Sequence, residues 1–141
     1  MRIERRASVP YSPEQMYALV HDIESYPEFL PEIRSVRILD RSEQSIAAEL
    51  EVHKGPVTET FATRNRLRPP GWMSMELVRG PFKHLHGEWH FNGDADGSEI
   101  CFELEFEVKG FGLRMILEPV IGKMADKLVD RFYQRARSVY G

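Results

Sequence analysis

The feature that most constrains the fold is a change of hydrophobic period near Gly110. Before it, apolar residues recur at every second position in six segments separated by turn-forming sequences, and after it they recur at helical spacing. A period of two is typical of strands with one covered face, and a period near 3.6 of an amphipathic helix. The short separators indicate an antiparallel meander. The predicted strands cover residues 33–39, 45–53, 57–67, 72–78, 85–91 and 99–108, and the predicted long helix covers 113–140.

The first thirty residues add a strand and two short helices. Residues 3–9 alternate between apolar and polar side chains, which predicts the first strand. Ser12 precedes a proline at the first helical position, and Gln15 follows Ser12 by three residues, so the run predicts a capped helix start. This helix is expected to end near Asp22, and a second short helix is expected over residues 23–30.

The two faces of the predicted sheet differ in polarity, and we expect the long helix to cover the apolar face. Pro119 is expected to kink or divide that helix. These elements predict an α+β fold, with one antiparallel sheet and helices on one face, in one domain spanning residues 1–141. The apolar face carries Ile46, Ala48, Leu50, Val52, Phe61, Ile100, Phe102, Leu104 and Phe106. The charged face carries Glu49, Glu51, Arg64, Arg66, Glu103, Glu105 and Glu107, with Glu49 and Glu51 expected across a hairpin from Arg64 and Arg66.

Charge, cysteine content and hydropathy narrow the function classes. The 141 residues carry 19 basic and 22 acidic side chains, a net charge of −3. That balance disfavours a general nucleic-acid coat and gives no indication of DNA binding, although a local basic face stays open. Cys101 is the single cysteine, so an intrachain disulfide and a cysteine-rich zinc site are excluded. No apolar stretch reaches the roughly 20 residues that span a bilayer. We therefore expect a cytoplasmic protein with at most peripheral contact at the inner membrane.

Four motifs, taken with the order of the elements, resemble a known family. They are VPYSPEQMY (9–17) with YPEFLP (26–31), TFATRN (60–65), GPFKHL (80–85) with GEWHF (87–91), and the C-terminal runs RF (131–132), RA (135–136) and VYG (139–141). This combination resembles the START-like helix-grip (SRPBCC) superfamily, specifically its coenzyme-Q-binding (Coq10-type) family and the ribosome-association toxins within it. One position departs from the pattern. Glu32-Ile33 follow the second run where many relatives have Trp-Cys or Gly-Cys, so the loop beside the pocket mouth is expected to differ.

The resemblance implies a curved antiparallel sheet that grips the long C-terminal helix, with an apolar cavity between them. It implies a non-catalytic protein that binds ubiquinone or a similar prenylated molecule as ligand, without a required cofactor, in support of respiratory electron transport. For the toxin subgroup it implies binding to the large ribosomal subunit and blocked subunit association. The superfamily also contains aromatases and cyclases, which leaves an enzyme as a third alternative.

The expected ligand-binding residues are apolar side chains of the sheet and the helix, with Phe29 and Leu30 as a lid. The first half of the helix is expected to line the cavity, because Gly110, Gly112 and Pro119 make it adjustable. Its second half, with Leu128, Phe132 and Ala136, is expected to be plain core, and plain core packing is the alternative for every residue. A charge at Leu117 is expected to abolish quinone retention. The full set is Phe29, Leu30, Leu50, Phe61, Trp89, Phe91, Phe102, Leu104, Leu113, Leu117, Ile121 and Met124.

Two charged surfaces are either ordinary solvated faces or contacts for a partner. The outer helix face is either solvated with local ion pairs or a contact for anionic lipid headgroups or ribosomal RNA. That basic face carries Lys123, Lys127, Arg131 and Arg135. The glutamate row at 103, 105 and 107 is interpreted as a solvated sheet face, because it lies opposite the aromatic residues.

No set of residues assembles a catalytic or metal site. His84, His86 and His90 are candidates for metal binding, but no HExxH motif, cysteine pair or fixed carboxylate accompanies them. We interpret them as solvated or edge-strand histidines. Ser12 is interpreted as a helix cap rather than a nucleophile. Because no nucleophile, base and orienting group come together, no catalytic residue is predicted.

Overall fold

The computed structural model describes residues 1–141 and contains seven strands and three helices. The strands are β1 Arg2–Val9, β2 Ile33–Arg41, β3 Ser45–Lys54, β4 Val57–Arg68, β5 Trp72–Arg79, β6 Phe82–Asp94 and β7 Gly97–Val108. The helices are α1 Pro13–His21, a 3-10 helix Ile23–Glu28 and α2 Phe111–Tyr140. Every predicted element is present. The largest difference in bounds is at β6, which extends beyond the predicted segment at both ends.

All seven strands form one antiparallel sheet in the order β1-β7-β6-β5-β4-β3-β2. The sheet curves around α2, which contacts β1, β7 and α1. Alternate residues of each strand face α2, and these inward side chains form most of a core of 30 buried apolar residues. The predicted α+β arrangement, a curved antiparallel sheet around a long C-terminal helix, is confirmed.

The start of α1 has the predicted capping box. The Ser12 hydroxyl accepts the backbone N–H of Gln15 at 3.1 Å, and the Gln15 side chain accepts the backbone N–H of Ser12 at 2.9 Å. Two otherwise unpaired donors of the first turn are thereby satisfied. Asp22 forms the C-cap, as expected. Ser12 is fully used in this cap, which explains its place in the sequence.

The predicted charge pairing across the β3–β4 hairpin is wrong. Glu49 lies across from Ala62, and Arg64 lies across from Ala47. The two residues between Lys54 and Val57 set this register. Alternation identifies the face of each side chain, but a shift by an even number of residues keeps every face unchanged, so the register stays undetermined. Glu49 instead forms ion pairs with Arg37 and Arg79.

Pro119 was expected to kink or divide α2, and because the helix runs uninterrupted through Pro119 the second alternative is wrong. Proline removes the N–H that would bond to the carbonyl of Met115. Both residues are exposed. The unpaired carbonyl therefore lies on the solvent side, where water can satisfy it.

The second half of α2 is packed directly on the sheet. The ring of Phe132 lies 5.3 Å from the Trp89 ring of β6, which lies 4.5 Å from Phe102 of β7. Ala136 is also fully buried. Both helix residues therefore have the core role predicted for them.

None of the helices is both long and apolar enough to cross a membrane.

Candidate ligand-binding cavity

An apolar cavity of about 90 Å³ lies between the inner sheet face, the 3-10 helix and the middle of α2. Its lining contains no carboxylate, histidine, cysteine, lysine or arginine, and Thr63, Asn65 and Tyr26 contribute its polar groups. Cavities that hold small ligands are mostly apolar with a few placed polar groups, and this lining has that character. The lining residues are Ile23, Tyr26, Leu30, Ile33, Leu50, Phe61, Thr63, Asn65, Met75, Leu85, Phe102, Leu104, Ile121, Met124, Ala125 and Leu128.

The structure brings seven of the twelve predicted ligand-binding residues together around this cavity. They are Leu30, Leu50, Phe61, Phe102, Leu104, Ile121 and Met124. The other five lie elsewhere: Phe29, Trp89, Phe91, Leu113 and Leu117. Trp89 and Phe91 belong to the packed aromatic core, where their rings stack 6.0 Å apart. Leu117 is buried without reaching the cavity, so a charge there tests packing rather than ligand binding.

The prediction that the first half of α2 lines the cavity is confirmed for Ile121 and Met124 but not for Leu113 and Leu117, which lie nearer its start. Leu128, predicted as plain core, lines the cavity as well. The helix residues that line it lie between Ile121 and Leu128, beneath the 3-10 helix. The first turns of α2 extend past the covered part of the sheet, and Phe111 and Met115 are 77% and 66% exposed. Hydrophobic spacing locates the inward stripe of a helix, but the place where a neighbouring segment covers that stripe depends on tertiary structure.

Thr63 and Asn65 are the polar lining residues that the sequence analysis missed. They alternate with outward residues of β4 and share the inner face with Phe61, so two polar side chains on an apolar strand face were the available signal. Both are 4% exposed. The Thr63 hydroxyl donates to Asn65 Oδ1 at 3.2 Å, and Asn65 Nδ2 has only the sulfur of Met73, 3.8 Å away. A buried amide donor without an oxygen acceptor is unfavourable, so a ligand oxygen at this position would be stabilised.

Tyr26 contributes an apolar ring rather than a reactive hydroxyl. Its hydroxyl donates to the backbone carbonyl of Val20. Burial, with a smaller contribution from the charge of Asp22, raises the pKa of Tyr26 above its ordinary value. The side chain is therefore neutral at physiological pH and has a structural hydrogen bond.

Residues 23–32, here called the lid, close one side of the cavity and are fastened to α2. The Glu32 carboxylate accepts two hydrogen bonds from Arg131, at 2.6 and 3.2 Å. The Arg135 guanidinium lies 5.0 Å from the centre of the Phe29 ring and 3.6 Å from the Glu28 carboxylate. Two of the four residues predicted as a basic contact face are thus engaged by the lid, whereas Lys123 and Lys127 are exposed.

Replacing Glu32 with glutamine is expected to make the free energy of unfolding depend less on pH. Burial alone raises the pKa of Glu32, but the hydrogen bonds and charge of Arg131 outweigh it and lower that pKa. The ion pair therefore stabilises the fold above the ordinary carboxyl pKa and loses this effect as the pH falls through the folded-state pKa. We expect E32Q to lower the free energy of unfolding by about 2 kcal/mol near neutral pH, and by much less in acid.

Urea unfolding at neutral and at acidic pH measures the effect, with Glu24→Gln as the matched control. Glu24 pairs with Arg41 at 3.0 Å, but both side chains are more than half exposed, so we expect less than about 0.5 kcal/mol. A difference between E32Q and the unchanged chain that is equal at neutral and acidic pH would contradict the assignment of this effect to the ion pair.

The histidines and the glutamate row lie away from the cavity. His86 Nδ1 is 2.6 Å from the Glu76 carboxylate on the outer sheet face. Glu103 and Glu105 line a shallow acidic depression on the same face. No group of three or more histidine, cysteine or acidic side chains is arranged to hold a metal ion. The glutamates therefore have the outward placement that the alternation predicts.

Comparison with known proteins gives relatives over the whole length. A sequence profile of the family described as "Polyketide cyclase / dehydrase and lipid transport" matches residues 9–133. The chain is 39% identical to the ribosome association toxin RatA of Pseudomonas aeruginosa, over 99% of this chain and 97% of that protein. It is 40% identical to RatA of Escherichia coli K12, over 99% and 89%. The mitochondrial coenzyme Q-binding protein COQ10 of Drosophila melanogaster is 27% identical, over 94% and 57%.

Two solved structures share the fold of this chain. The Zhui aromatase/cyclase from Streptomyces sp. R1128 superposes with a TM-score of 0.85 over 97% of this chain and 93% of that chain, at 18% identity. An 18 kDa protein from Caulobacter crescentus superposes with a TM-score of 0.78 over 100% and 99%, at 32% identity. The first similarity is one of fold alone, because its sequence identity is low.

Proposed function

The chain belongs to the polyketide cyclase / dehydrase and lipid transport family, and we propose that within this family it is a non-catalytic ribosome-association toxin that acts in the cytoplasm. It binds the large ribosomal subunit and blocks subunit association. The observation that carries the proposal is the 39–40% identity, over 99% of this chain, with two proteins named ribosome association toxin. The Drosophila coenzyme Q-binding relative is more distant and matches over 57% of its own length. The ubiquinone carrier favoured by the sequence analysis is therefore the second candidate.

Reassociation of purified ribosomal subunits tests this proposal. We expect the chain to co-sediment with large subunits in a sucrose gradient and to lower the ratio of whole ribosomes to free subunits as its concentration rises. A globular protein of similar size and net charge, added at the same concentration, should leave that ratio unchanged. A chain that sediments with neither subunit, together with an unchanged ratio, would refute the proposal.

The absence of acid–base groups from the cavity supports a non-catalytic role. General acid–base catalysis needs a titratable side chain near the reacting group, with a pKa close to the working pH. Tyr26 is the one titratable lining residue, and its pKa is raised by burial. The aromatase/cyclase structure supplies no opposing argument, because at 18% identity it indicates the fold only.

The second candidate function is binding of an apolar ligand that has an oxygen acceptor, such as the head group of ubiquinone. The buried pair of Thr63 and Asn65 in an otherwise apolar lining favours it. The cavity of about 90 Å³ is well below the roughly 300–1,000 Å³ of typical ligand pockets. A prenylated quinone therefore requires expansion of the cavity, and we propose that the lid moves to provide it. Native mass spectrometry with added short-chain ubiquinone tests binding, and absence of any complex would refute this candidate.

A further inference from the structure

A basic groove of about 590 Å³ lies on the outer face of the sheet, on the opposite side from the cavity. Three arginines contribute to it, and none of its lining residues is acidic. It contrasts with the net charge of −3 for the whole chain. The residues that define this arginine groove are Ser42, Gln44, Ser45, Arg64, Arg66, Leu67, Arg68 and Trp72.

Strand β4 aligns the three arginines of the groove. Arg64, Arg66 and Arg68 occupy alternate positions, so their side chains leave the same sheet face about 7 Å apart along the strand. Arg64 bonds to the Asp40 carboxylate at 3.2 Å. Arg66 and Arg68 are exposed and form no ion pair within the chain. Two positive charges in the groove are therefore available to an anionic partner.

Trp72 adds a flat surface beside these charges. It lies across from Arg68 in the β4–β5 pairing, and the Arg68 guanidinium is 5.2 Å from the centre of the Trp72 ring. The indole N–H donates to Glu88 at 2.8 Å, which fixes the orientation of the ring. Tryptophan rings and guanidinium planes are the surfaces on which proteins stack unpaired nucleic-acid bases.

The rim of the groove is an ordered turn with free polar groups. The Ser42 hydroxyl accepts the backbone N–H groups of Gln44 and Ser45, at 3.3 and 3.1 Å. The side-chain amide of Gln44 has no partner in the chain. It can donate to a phosphate or to the edge of a base without first breaking an internal bond.

We propose that the arginine groove is the RNA-binding surface of the protein. Arg66 and Arg68 contact successive phosphates, and an unpaired base stacks on Trp72. This inference rests on the proposed ribosome association and specifies the contact as one with large-subunit RNA. The acidic depression containing Glu103 and Glu105 lies on the same sheet face. Its negative charge repels phosphates and so directs the bound RNA away from that side of the sheet.

The outer face of α2 is a weaker candidate for RNA contact than the arginine groove. The lid engages Arg131 and Arg135, as described above. The two exposed lysines of α2, Lys123 and Lys127, lie beside Asp126 and Asp130, whereas no acidic residue lines the arginine groove. The two surfaces therefore make opposite predictions for a pair of double variants with the same change of charge.

Binding of two variants to purified large subunits and to a mixed-sequence single-stranded RNA tests the groove. We expect R66Q/R68Q to bind both at least about 10-fold more weakly, and the slope of log K against log salt to become shallower by about 1.5. The helix variant K123Q/K127Q should bind within about twofold of the unchanged chain. Equal thermal unfolding temperatures check that the exposed substitutions leave the fold intact. Arg68→Lys should keep the salt slope but weaken binding, because lysine keeps the charge but lacks the planar guanidinium that packs on Trp72 and bonds to a phosphate through two N–H groups.

The outcomes separate the groove from the proposed function. If the unchanged chain binds single-stranded RNA through the groove but does not bind large subunits, the proposed ribosome association is refuted and RNA binding by the groove is supported. If R66Q/R68Q binds subunits and RNA as well as the unchanged chain does, the groove assignment is overturned. If R66Q/R68Q loses subunit binding while the unchanged chain binds independently of salt and competing RNA, the groove contacts a ribosomal protein, which also overturns the RNA assignment.

Discussion

Replacing Ala125 with leucine is expected to abolish ligand uptake while leaving the protein at least as stable as before. Ala125 lies on α2, lines the cavity and is 1% exposed. A leucine adds three carbon atoms, which occupy much of a cavity of about 90 Å³. Filling a cavity with a good helix former typically raises the free energy of unfolding by about 0.5–2 kcal/mol. Because side chain and ligand would need the same space, we expect ligand affinity to fall at least about 100-fold.

Thr63→Val is the matched variant that keeps the cavity volume and removes one polar group. It eliminates the donor to Asn65 Oδ1 without filling space. We expect it to weaken binding of an oxygen-containing ligand by about 10-fold, because Thr63 then no longer positions the Asn65 amide that donates to the ligand. Titration with short-chain ubiquinone, followed by native mass spectrometry, measures both variants. Unchanged ligand binding by A125L would place the ligand outside this cavity.

The same A125L chain separates the two candidate functions. The arginine groove and the cavity lie on opposite faces of the sheet, and Ala125 lines the cavity but not the groove. We therefore expect A125L to retain ribosome association. Loss of ribosome association in a stable A125L chain would instead indicate that the ligand-bound state is the one that binds the ribosome.

The architecture was predictable because hydrophobic period reports directly on secondary structure. The change of period near Gly110 separated the sheet from α2, and the Ser12 capping box marked the start of α1. Register was not predictable in the same way. Glu49 stays on the outer face whether it lies across from Arg66 or from Ala62, because both registers have the same parity.

The cavity was only partly predictable for a different physical reason. Leu117 and Ile121 have the same sequence signature, since both lie on the inward stripe of α2. They differ in what lies above them, and that depends on the lid. The lid is fastened through Glu32 and Arg131, which are 99 residues apart in sequence. A contact between residues so far apart leaves no signal in the local sequence. The sequence therefore identified the inward stripe of α2 but not the part of that stripe that lines the cavity.

The arginine groove illustrates the converse case. Its arginines alternate along one predicted strand face, so their common direction was visible in the sequence, although only Arg64 and Arg66 were singled out there. Their role as partners of Glu49 and Glu51 was inferred from an incorrect register. In the actual register Arg66 has no carboxylate partner, and Trp72 lies across from Arg68. The correct register therefore leaves Arg66 and Arg68 without an ion pair in the groove, while Arg64 pairs with Asp40 rather than with a glutamate of β3.

Replacing Phe132 with alanine is expected to have the largest effect on stability, because this side chain joins three parts of the molecule. Its ring lies 5.1 Å from Phe29 and 5.6 Å from Tyr26 of the lid, and 5.3 Å from Trp89 of β6. It is 1% exposed. Removing a buried aromatic ring deletes its packing and leaves a cavity, which lowers the free energy of unfolding by about 3–5 kcal/mol. For a domain of this size the thermal midpoint should fall by more than about 10 °C.

Phe111→Ala is the matched control, because it makes the same substitution in the same helix at a position that is 77% exposed. It should change the free energy of unfolding by less than about 0.5 kcal/mol. Urea unfolding with a tryptophan signal measures both variants, since Trp89 lies beside Phe132. A similar loss for F111A and F132A would contradict the packing of α2 on the sheet. If F132A lost only about 1 kcal/mol, the lid would be held mainly by Arg131 and Arg135, and E32Q should then be the more destabilised chain.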